Sequence, residues 1–319
     1  MSTVTEQVPV SPRRGGVLDV VRRYPLWSFV VLAVGASWLV WLPMVLGPYG
    51  LGIWDIQVPG GDDGWVLFGM LPGAFVGPIG AAFFVTAVTE GRAGVRAWLK
   101  RLTKWKVNWR WYVGILLGTP ATLLLASFVA GGGQVQALPV QTLLQYLPFL
   151  VFQIFTTGLA EEPGWRDFAL PRAQRRFGAL AASLGIGVLW GVWHLPLFLT
   201  EWGQVESLHV LRPLTFIAFC ILFNVIMTWV FNRTGQSLPM AMLLHVSINT
   251  YASLVISDMF PLIGDGYDNV QRALLLAAAV GAVVTLVATR GKLGYDPQAD
   301  EQIAHPVESA RPLAAAPLS

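Results

Sequence analysis

Apolar residues recur in eight long runs along this chain, and short polar segments separate the runs. Each run has about 20 residues, the length that an α-helix needs to cross a hydrocarbon layer ~30 Å thick. We therefore expect an all-α fold, a polytopic membrane helical bundle with about eight transmembrane helices. The predicted spans are 26–46, 65–89, 111–130, 147–170, 178–200, 213–231, 239–257 and 271–289.

The composition supports a membrane protein over a soluble domain. Of the 319 residues, 55% are hydrophobic and 12% are charged, whereas soluble domains carry about a quarter charged residues. Of the 21 Lys and Arg, 18 fall in segments that the predicted spans place on one side of the membrane. The exceptions are Arg166, Arg212 and Arg272. Cytoplasmic loops are rich in Lys and Arg, so both termini are predicted to be cytoplasmic. This bias accounts for the net charge of +3, and we expect membrane lipids rather than nucleic acid as partners.

Three regions follow from these spans. Residues 1–25 are predicted to be a cytoplasmic tail, residues 26–290 a transmembrane helical domain, and residues 291–319 a disordered C-terminal tail. Between the second and third spans, residues 94–107 have an apolar stripe flanked by Lys and Arg. Such a pattern is typical of a helix that lies in the membrane interface.

Two adjacent glutamates, Glu161 and Glu162, lie inside the fourth apolar run. A carboxylate at the centre of a membrane costs roughly 3 kcal/mol even on mild insertion scales, so such residues usually have a partner or a function. Side chains of adjacent helical residues differ in direction by about 100°. We expect Arg166, one turn later, to neutralise Glu162, and Glu161 to face a cavity. Pro163 and Gly164 are expected to loosen the helix after the pair.

Two histidines and an asparagine also lie inside apolar runs. His194 is in the fifth run, and His245 and Asn249 share one face of the seventh. At 1.5 Å per residue, His245 lies at about the depth of Glu161, whereas His194 comes out about 10 Å closer to the outer surface. Such polar side chains normally face the bundle interior or a wet cavity. The alternative for each is a structural hydrogen bond between helices.

Three motifs in this part of the chain resemble those of the CPBP family of intramembrane glutamic endopeptidases. That family includes CAAX prenyl protease 2 and bacteriocin-processing and immunity proteins. The motifs are Glu161-Glu162-x-x-x-Arg166, Trp190-x-x-x-His194 and His245-x-x-x-Asn249. The resemblance is specific within 145–255, which we take as a protease-like core. Asp167 stands where glycine is usual and Trp190 where phenylalanine is usual, and neither change removes a chemical group.

The resemblance implies an intramembrane endopeptidase that hydrolyses a membrane-tethered or lipidated peptide without a covalent intermediate. Glu161 would be the general base and would activate water together with His194. His245 and Asn249 would stabilise the tetrahedral oxyanion. The supporting residues would be Glu162, Arg166 and Trp190.

A cofactor is not favoured, but zinc remains an alternative at this stage. A glutamate and two histidines, here Glu161, His194 and His245, would form a His₂Glu zinc site with water as the fourth ligand. We favour the metal-free mechanism because the resemblance points to it.

Two other classes of function compete with an endopeptidase. One is a non-catalytic immunity or scaffold protein of the same family, in which the polar cluster joins helices. The other is a transporter, in which buried carboxylates bind a proton or cation. Arg is far more frequent than Lys, which favours a GC-rich bacterial genome and hence a bacterial plasma membrane.

Overall fold

The computed structural model describes residues 16–57, 59–264 and 266–304. The remainder of the two predicted tails, 1–15 and 305–319, lies outside the described residues. The main helices are α1 (Val17–Arg23), α2 (Pro25–Leu46), α3 (Trp65–Arg101), α4 (Trp109–Ala130), α5 (Val140–Phe177), α6 (Ala179–Trp193), α7 (Leu211–Arg233), α8 (Leu238–Leu254), α9 (Tyr267–Thr289) and α10 (Pro297–Ala304).

The predicted helical membrane bundle is confirmed. Among the described residues, seven helices are long and apolar enough to cross a membrane, namely α2 to α7 and α9, with α6 continued to Leu199. The remaining predicted span, 239–257, corresponds to α8, which has 17 residues and is buried along nearly its whole length. The number of spans and the side on which each terminus lies stay predictions.

The core lies where α8 packs inside the bundle. α7 packs between α6 and α9, while α8 contacts α4, α5 and α7. The one cysteine of the chain, Cys220, is fully buried on α7. The helix that carries His245 and Asn249 is therefore enclosed by other helices rather than by lipid.

The helix that carries the two glutamates is irregular around them. In α5, π-helical stretches at Ile154–Gly158 and Pro163–Ala169 flank the single α-helical turn Leu159–Glu162. Pro163 has no N–H to donate to the preceding turn, and π-helical turns occur frequently at functional sites. A Cβ on Gly164 would lie 2.6 Å from the carbonyl of Pro78, so only glycine allows α5 to approach α3 this closely.

The interfacial segment differs from its prediction. The helix expected at 94–107 is the last part of α3 and ends at Arg101. It is separated from the membrane-spanning part by a kink at Gly91, where φ is +63°, a conformation that glycine adopts readily. From this segment Arg101 Nε donates to Oδ1 of the buried Asp167 over 2.6 Å. Asp167 thus ties α5 to the end of α3.

Part of the predicted disordered C-terminal tail is ordered. Residues 297–304 form α10, and Asp300 is only 3% exposed. Asp300 accepts hydrogen bonds from Gln236 Nε2 over 2.6 Å and from Tyr295 Oη over 3.2 Å. Burial, followed by the charge of Asp300, raises the pKa of Tyr295 to about 12. These polar contacts hold α10 on the bundle, and the sequence pattern does not show them.

Candidate active site

One cavity of about 540 Å³ is lined by all four residues that the sequence assigns to catalysis, Glu161, His194, His245 and Asn249. The expectation that His194 lies about 10 Å shallower assumed a uniform rise of 1.5 Å per residue. That rise does not hold in α5, which contains two π-helical stretches. Aromatic side chains form much of the remaining wall, among them Trp41, Phe149, Trp190, Trp202 and Phe216.

Glu161 is held by a tryptophan of the second motif. It is 5% exposed, and its Oε2 accepts a hydrogen bond from Trp190 Nε1 over 2.6 Å. The indole ring also lies 5.1 Å from the ring of His245, centroid to centroid. Trp190 therefore fixes the orientation of one carboxylate oxygen of Glu161 at the cavity.

Glu162 points in another direction, as helical geometry predicts. It is fully buried, and its Oε2 lies 3.2 Å from Nε of the equally buried Arg166. Its Oε1 lies 2.8 Å from Nδ1 of His245. The guanidinium carbon of Arg166 lies 5.2 Å from the Trp190 ring, within the range of a cation–π contact. Glu162 thus joins Arg166 to His245, and Glu161 is the glutamate that lines the cavity.

The hydrogen bonds of the two histidines define which ring nitrogen is available. Nδ1 of His194 lies 2.8 Å from the carbonyl oxygen of Trp190. Since a carbonyl oxygen only accepts, Nδ1 carries a proton, and Nε2 of the neutral ring is an acceptor. Nδ1 of His245 likewise faces an acceptor, the carboxylate of Glu162. In both rings Nε2 is the atom left for substrate or water.

The loop between α6 and α7 closes the site over His194. Trp202 of this loop stacks on the His194 ring at 5.9 Å and 21°. Arg212 holds the loop by donating to the carbonyl oxygens of Gly203 and Gln204, over 2.9 and 3.1 Å. It also pairs with Asp268 at the start of α9. Sequence analysis did not assign this role to Trp202 or Arg212.

Two further cavity residues, Tyr267 and Gln271 on α9, were also missed. They are four residues apart: Gln271 is the first residue of the predicted span 271–289, and Tyr267 lies just before it. Polar residues at this spacing inside an apolar run share one helix face. This signal identified His245 and Asn249, but here it applies only to Gln271, because Tyr267 lies outside the predicted span.

A second cavity, of about 660 Å³, adjoins the first. It lies between α4, α7, α8 and α9, and Asn108 and Arg110 line it next to the start of α4. Ile248 and Leu274 line both cavities.

The side chains of the described residues bear on the zinc alternative. None of their His, Cys, Asp and Glu side chains form a group of three or more that could hold a metal ion. This includes the His₂Glu set of Glu161, His194 and His245 that the sequence left open. We derive no step through a metal, and the metal-free mechanism stays a prediction.

Comparison with known proteins supports the resemblance stated from the motifs. Residues 142–251 match the family model described as type II CAAX prenyl endopeptidase Rce1-like. A curated relative, CAAX prenyl protease 2 of Methanococcus maripaludis, is 26% identical over 195 residues. The alignment covers 58% of this chain and 72% of the relative. The matched region contains all four cavity residues assigned from the motifs, whereas Tyr267 and Gln271 lie beyond the family match.

Proposed function

We propose that this integral membrane protein, which matches the type II CAAX prenyl endopeptidase Rce1-like model over residues 142–251, is an intramembrane endopeptidase of the CPBP family. Its proposed substrate is a membrane-tethered or lipidated peptide, since the matching family is described by its action on CAAX prenyl sequences. In such sequences a cysteine near the carboxyl terminus carries the isoprenoid chain. The observation that carries the proposal is that Glu161, His194, His245 and Asn249 line a single cavity in a membrane bundle.

In the proposed reaction, Glu161 removes a proton from a water molecule as the water attacks the substrate carbonyl carbon. Nε2 of His194 accepts a hydrogen bond from the other O–H of that water and so orients it, and this hydrogen stays on the oxygen that attacks. The proton held by Glu161 then passes to the leaving amine as the carbon–nitrogen bond breaks. General bases of this kind typically contribute about 10²- to 10⁴-fold in rate.

The oxyanion formed in this step needs donors aimed at it. His245 and Asn249 supply them in our proposal, through Nε2–H and the side-chain amide. Nδ1 of His245 already donates to Glu162, so a donor at Nε2 makes the ring an imidazolium. Each such donor is worth about 3 kcal/mol in comparable sites.

Charge balance supports these protonation states. Two carboxylates, Glu161 and Glu162, are matched by the guanidinium of Arg166 and the imidazolium of His245, so that the buried group of four is neutral overall. Buried charges are stable only when they are paired in this way. Glu162, Arg166 and Trp190 therefore act as positioning residues for the groups that touch substrate.

The test is hydrolysis of a fluorogenic peptide that ends in a farnesylated CAAX sequence, by purified protein in lipid nanodiscs. We expect cleavage on the carboxyl side of the farnesylated cysteine. Glu161→Gln keeps the shape of the side chain and removes the base, so the rate should fall by at least about 100-fold. The variant should insert into membranes and melt at the temperature of the wild-type protein.

A non-catalytic role makes the opposite prediction. If wild-type protein does not cleave the peptide, or if the Glu161→Gln variant cleaves it at the same rate, the proposed function is wrong. Elemental analysis of the same preparation and titration with a chelator test the metal-free mechanism. Stoichiometric zinc together with activity that the chelator abolishes would contradict it.

A further inference from the structure

The last transmembrane helix presents two polar side chains to the cavity, although it lies outside the family match. Tyr267 and Gln271 are one turn apart on α9 and both line the cavity that contains Glu161. Gln271 is 95% buried, with a relative exposure of 5%. Neither residue has a role in the proposed hydrolysis.

Both side chains have a buried donor without a partner. Oη of Tyr267 and Nε2 of Gln271 make no hydrogen bond to any residue that the structure describes. Leaving a buried polar group unsatisfied costs about 1 to 3 kcal/mol. Such groups in a folded protein call for an explanation, and one explanation is a ligand that supplies the missing acceptor.

The surroundings of Tyr267 show that its ring is already held in place. The ring lies 5.9 Å from Trp202 and 5.3 Å from the guanidinium carbon of Arg212. Packing therefore accounts for the ring but not for the hydroxyl. Tyr267 Oη is left as a buried donor without a partner, on a residue that lines the cavity.

We propose that Tyr267 and Gln271 bind the peptide backbone of the substrate by donating hydrogen bonds to its carbonyl oxygens. This inference rests on the proposed function and names residues that hold the peptide part of the substrate. Hydrogen bonds to the main chain need no particular side chain in the substrate. They suit a cavity whose walls are mostly aromatic and aliphatic side chains.

The proposal predicts that stability and substrate binding respond differently to the same substitution. Tyr267→Phe removes only the hydroxyl, and Gln271→Leu replaces the amide by an apolar side chain of similar size. Because each removes an unpaired buried donor, the melting temperature should be unchanged or higher. KM for the farnesylated CAAX peptide should rise about 3- to 10-fold for each variant, the value of one hydrogen bond, with kcat within about twofold.

A matched control separates substrate binding from support of the fold. Gln174 lies on α5 outside the cavity and is 1% exposed. It exchanges two hydrogen bonds with Asn232 of α7, over 3.1 and 2.7 Å. Gln174→Leu should lower the melting temperature and leave KM unchanged. If it raises KM as much as Gln271→Leu does, or if Gln271→Leu lowers the melting temperature, the inference is wrong.

Binding is also measured in the Glu161→Gln background, so that the result does not depend on turnover. Peptides in which one amide at a time is replaced by an alkene lack one carbonyl acceptor. At one position this replacement should weaken binding about 3- to 10-fold in the Glu161→Gln protein. It should have no effect once Gln271→Leu is added. The inference is wrong if no replacement weakens binding, or if binding weakens equally with and without Gln271. If the peptide binds in the expected pattern but wild-type protein does not cleave it, only the proposed function is wrong.

Discussion

At the scale of single residues, the most informative position is Trp190. Phenylalanine is usual there in the family that the motifs resemble, and phenylalanine has no donor. In this chain the indole Nε1–H bonds to Glu161, and the indole face meets the guanidinium of Arg166. Tryptophan in place of phenylalanine at position 190 therefore adds a hydrogen bond to the proposed base, Glu161, and keeps an aromatic ring in the packing.

This contact predicts a kinetic effect of Trp190→Phe. The ring packing survives, but Glu161 loses the hydrogen bond that orients its Oε2. We expect kcat to fall about tenfold with KM unchanged, since a hydrogen bond to a charged group is worth about 1.5 to 3 kcal/mol. Steady-state kinetics on the farnesylated peptide measure both constants.

Trp229 offers the matched control for this substitution. It lines the second cavity, where it meets Trp111 edge to face at 5.1 Å, and it does not line the cavity of Glu161. Trp229→Phe should leave kcat unchanged. An unchanged kcat for Trp190→Phe as well would show that the indole donor does not position the base.

Residue types and helical spacing predicted much of the site. The cost of burying two carboxylates drew attention to Glu161 and Glu162, and a spacing of four paired Glu162 with Arg166. The contact between Trp190 and Glu161 could not be predicted, because it joins two helices whose relative rotation depends on π-helical turns in α5. Trp202 was missed for a similar reason, since a loop residue has no periodicity to place it.

At the scale of helices, the ion pair between Arg101 and Asp167 joins the end of α3 to the helix that carries both glutamates. Its two members are buried unequally: the side chain of Arg101 is 25% exposed and that of Asp167 is fully buried. The Gly91 kink brings Arg101 to this position, and without the kink α3 would continue in the direction of its membrane-spanning part. The pair therefore fixes the angle between an interfacial segment and the proposed catalytic helix.

Because Arg101 and Asp167 are buried to different extents, removing each side chain should lower the free energy of unfolding by a different amount. Arg101→Ala leaves a buried carboxylate without its cation, so the free energy of unfolding should fall by about 3 kcal/mol. Asp167→Ala leaves a guanidinium that reaches water, and the expected loss is about 1 kcal/mol. Thermal and denaturant unfolding in a mild detergent measure both values.

The double variant completes the comparison. Arg101→Ala combined with Asp167→Ala should resemble Asp167→Ala alone, because no unpaired carboxylate remains. Equal losses for the two single variants would contradict the proposed role of burial.

Helix positions were predictable from apolar run length, whereas some helix ends were not. The span 26–46 and α2 (Pro25–Leu46) differ by one residue at the start, because a long apolar run leaves little freedom. The end of the interfacial helix and the existence of α10 depend instead on Asp167 and Asp300. Each of these two acidic residues contacts residues that are distant in sequence. A periodic pattern of apolar positions does not reveal such contacts.

At the scale of the whole molecule, the distribution of charge predicts a single orientation in the membrane. Most Lys and Arg lie on the side to which both termini are assigned, and the loop of Glu206 lies on the other side. The chain has one cysteine, which is fully buried. New cysteines can therefore be labelled with little background.

The predicted orientation of the chain in the membrane determines when two exposed positions should react with a membrane-impermeant maleimide. Glu206→Cys should react in intact cells, whereas Gln298→Cys should react only after the membrane is opened. The unmodified protein should remain unlabelled under both conditions, because Cys220 does not reach solvent. Labelling of Gln298→Cys in intact cells would reverse the predicted orientation.

Ile248 and Leu274 form a partition between the two cavities of the bundle, each side chain belonging to both linings. Both side chains are hydrocarbon, so the boundary at these two residues consists of packing alone. Its permeability to a chain molecule depends on the size of those two side chains rather than on the arrangement of helices. Replacing either residue by alanine should therefore widen the connection between the two adjoining chambers and alter what can reach the glutamate.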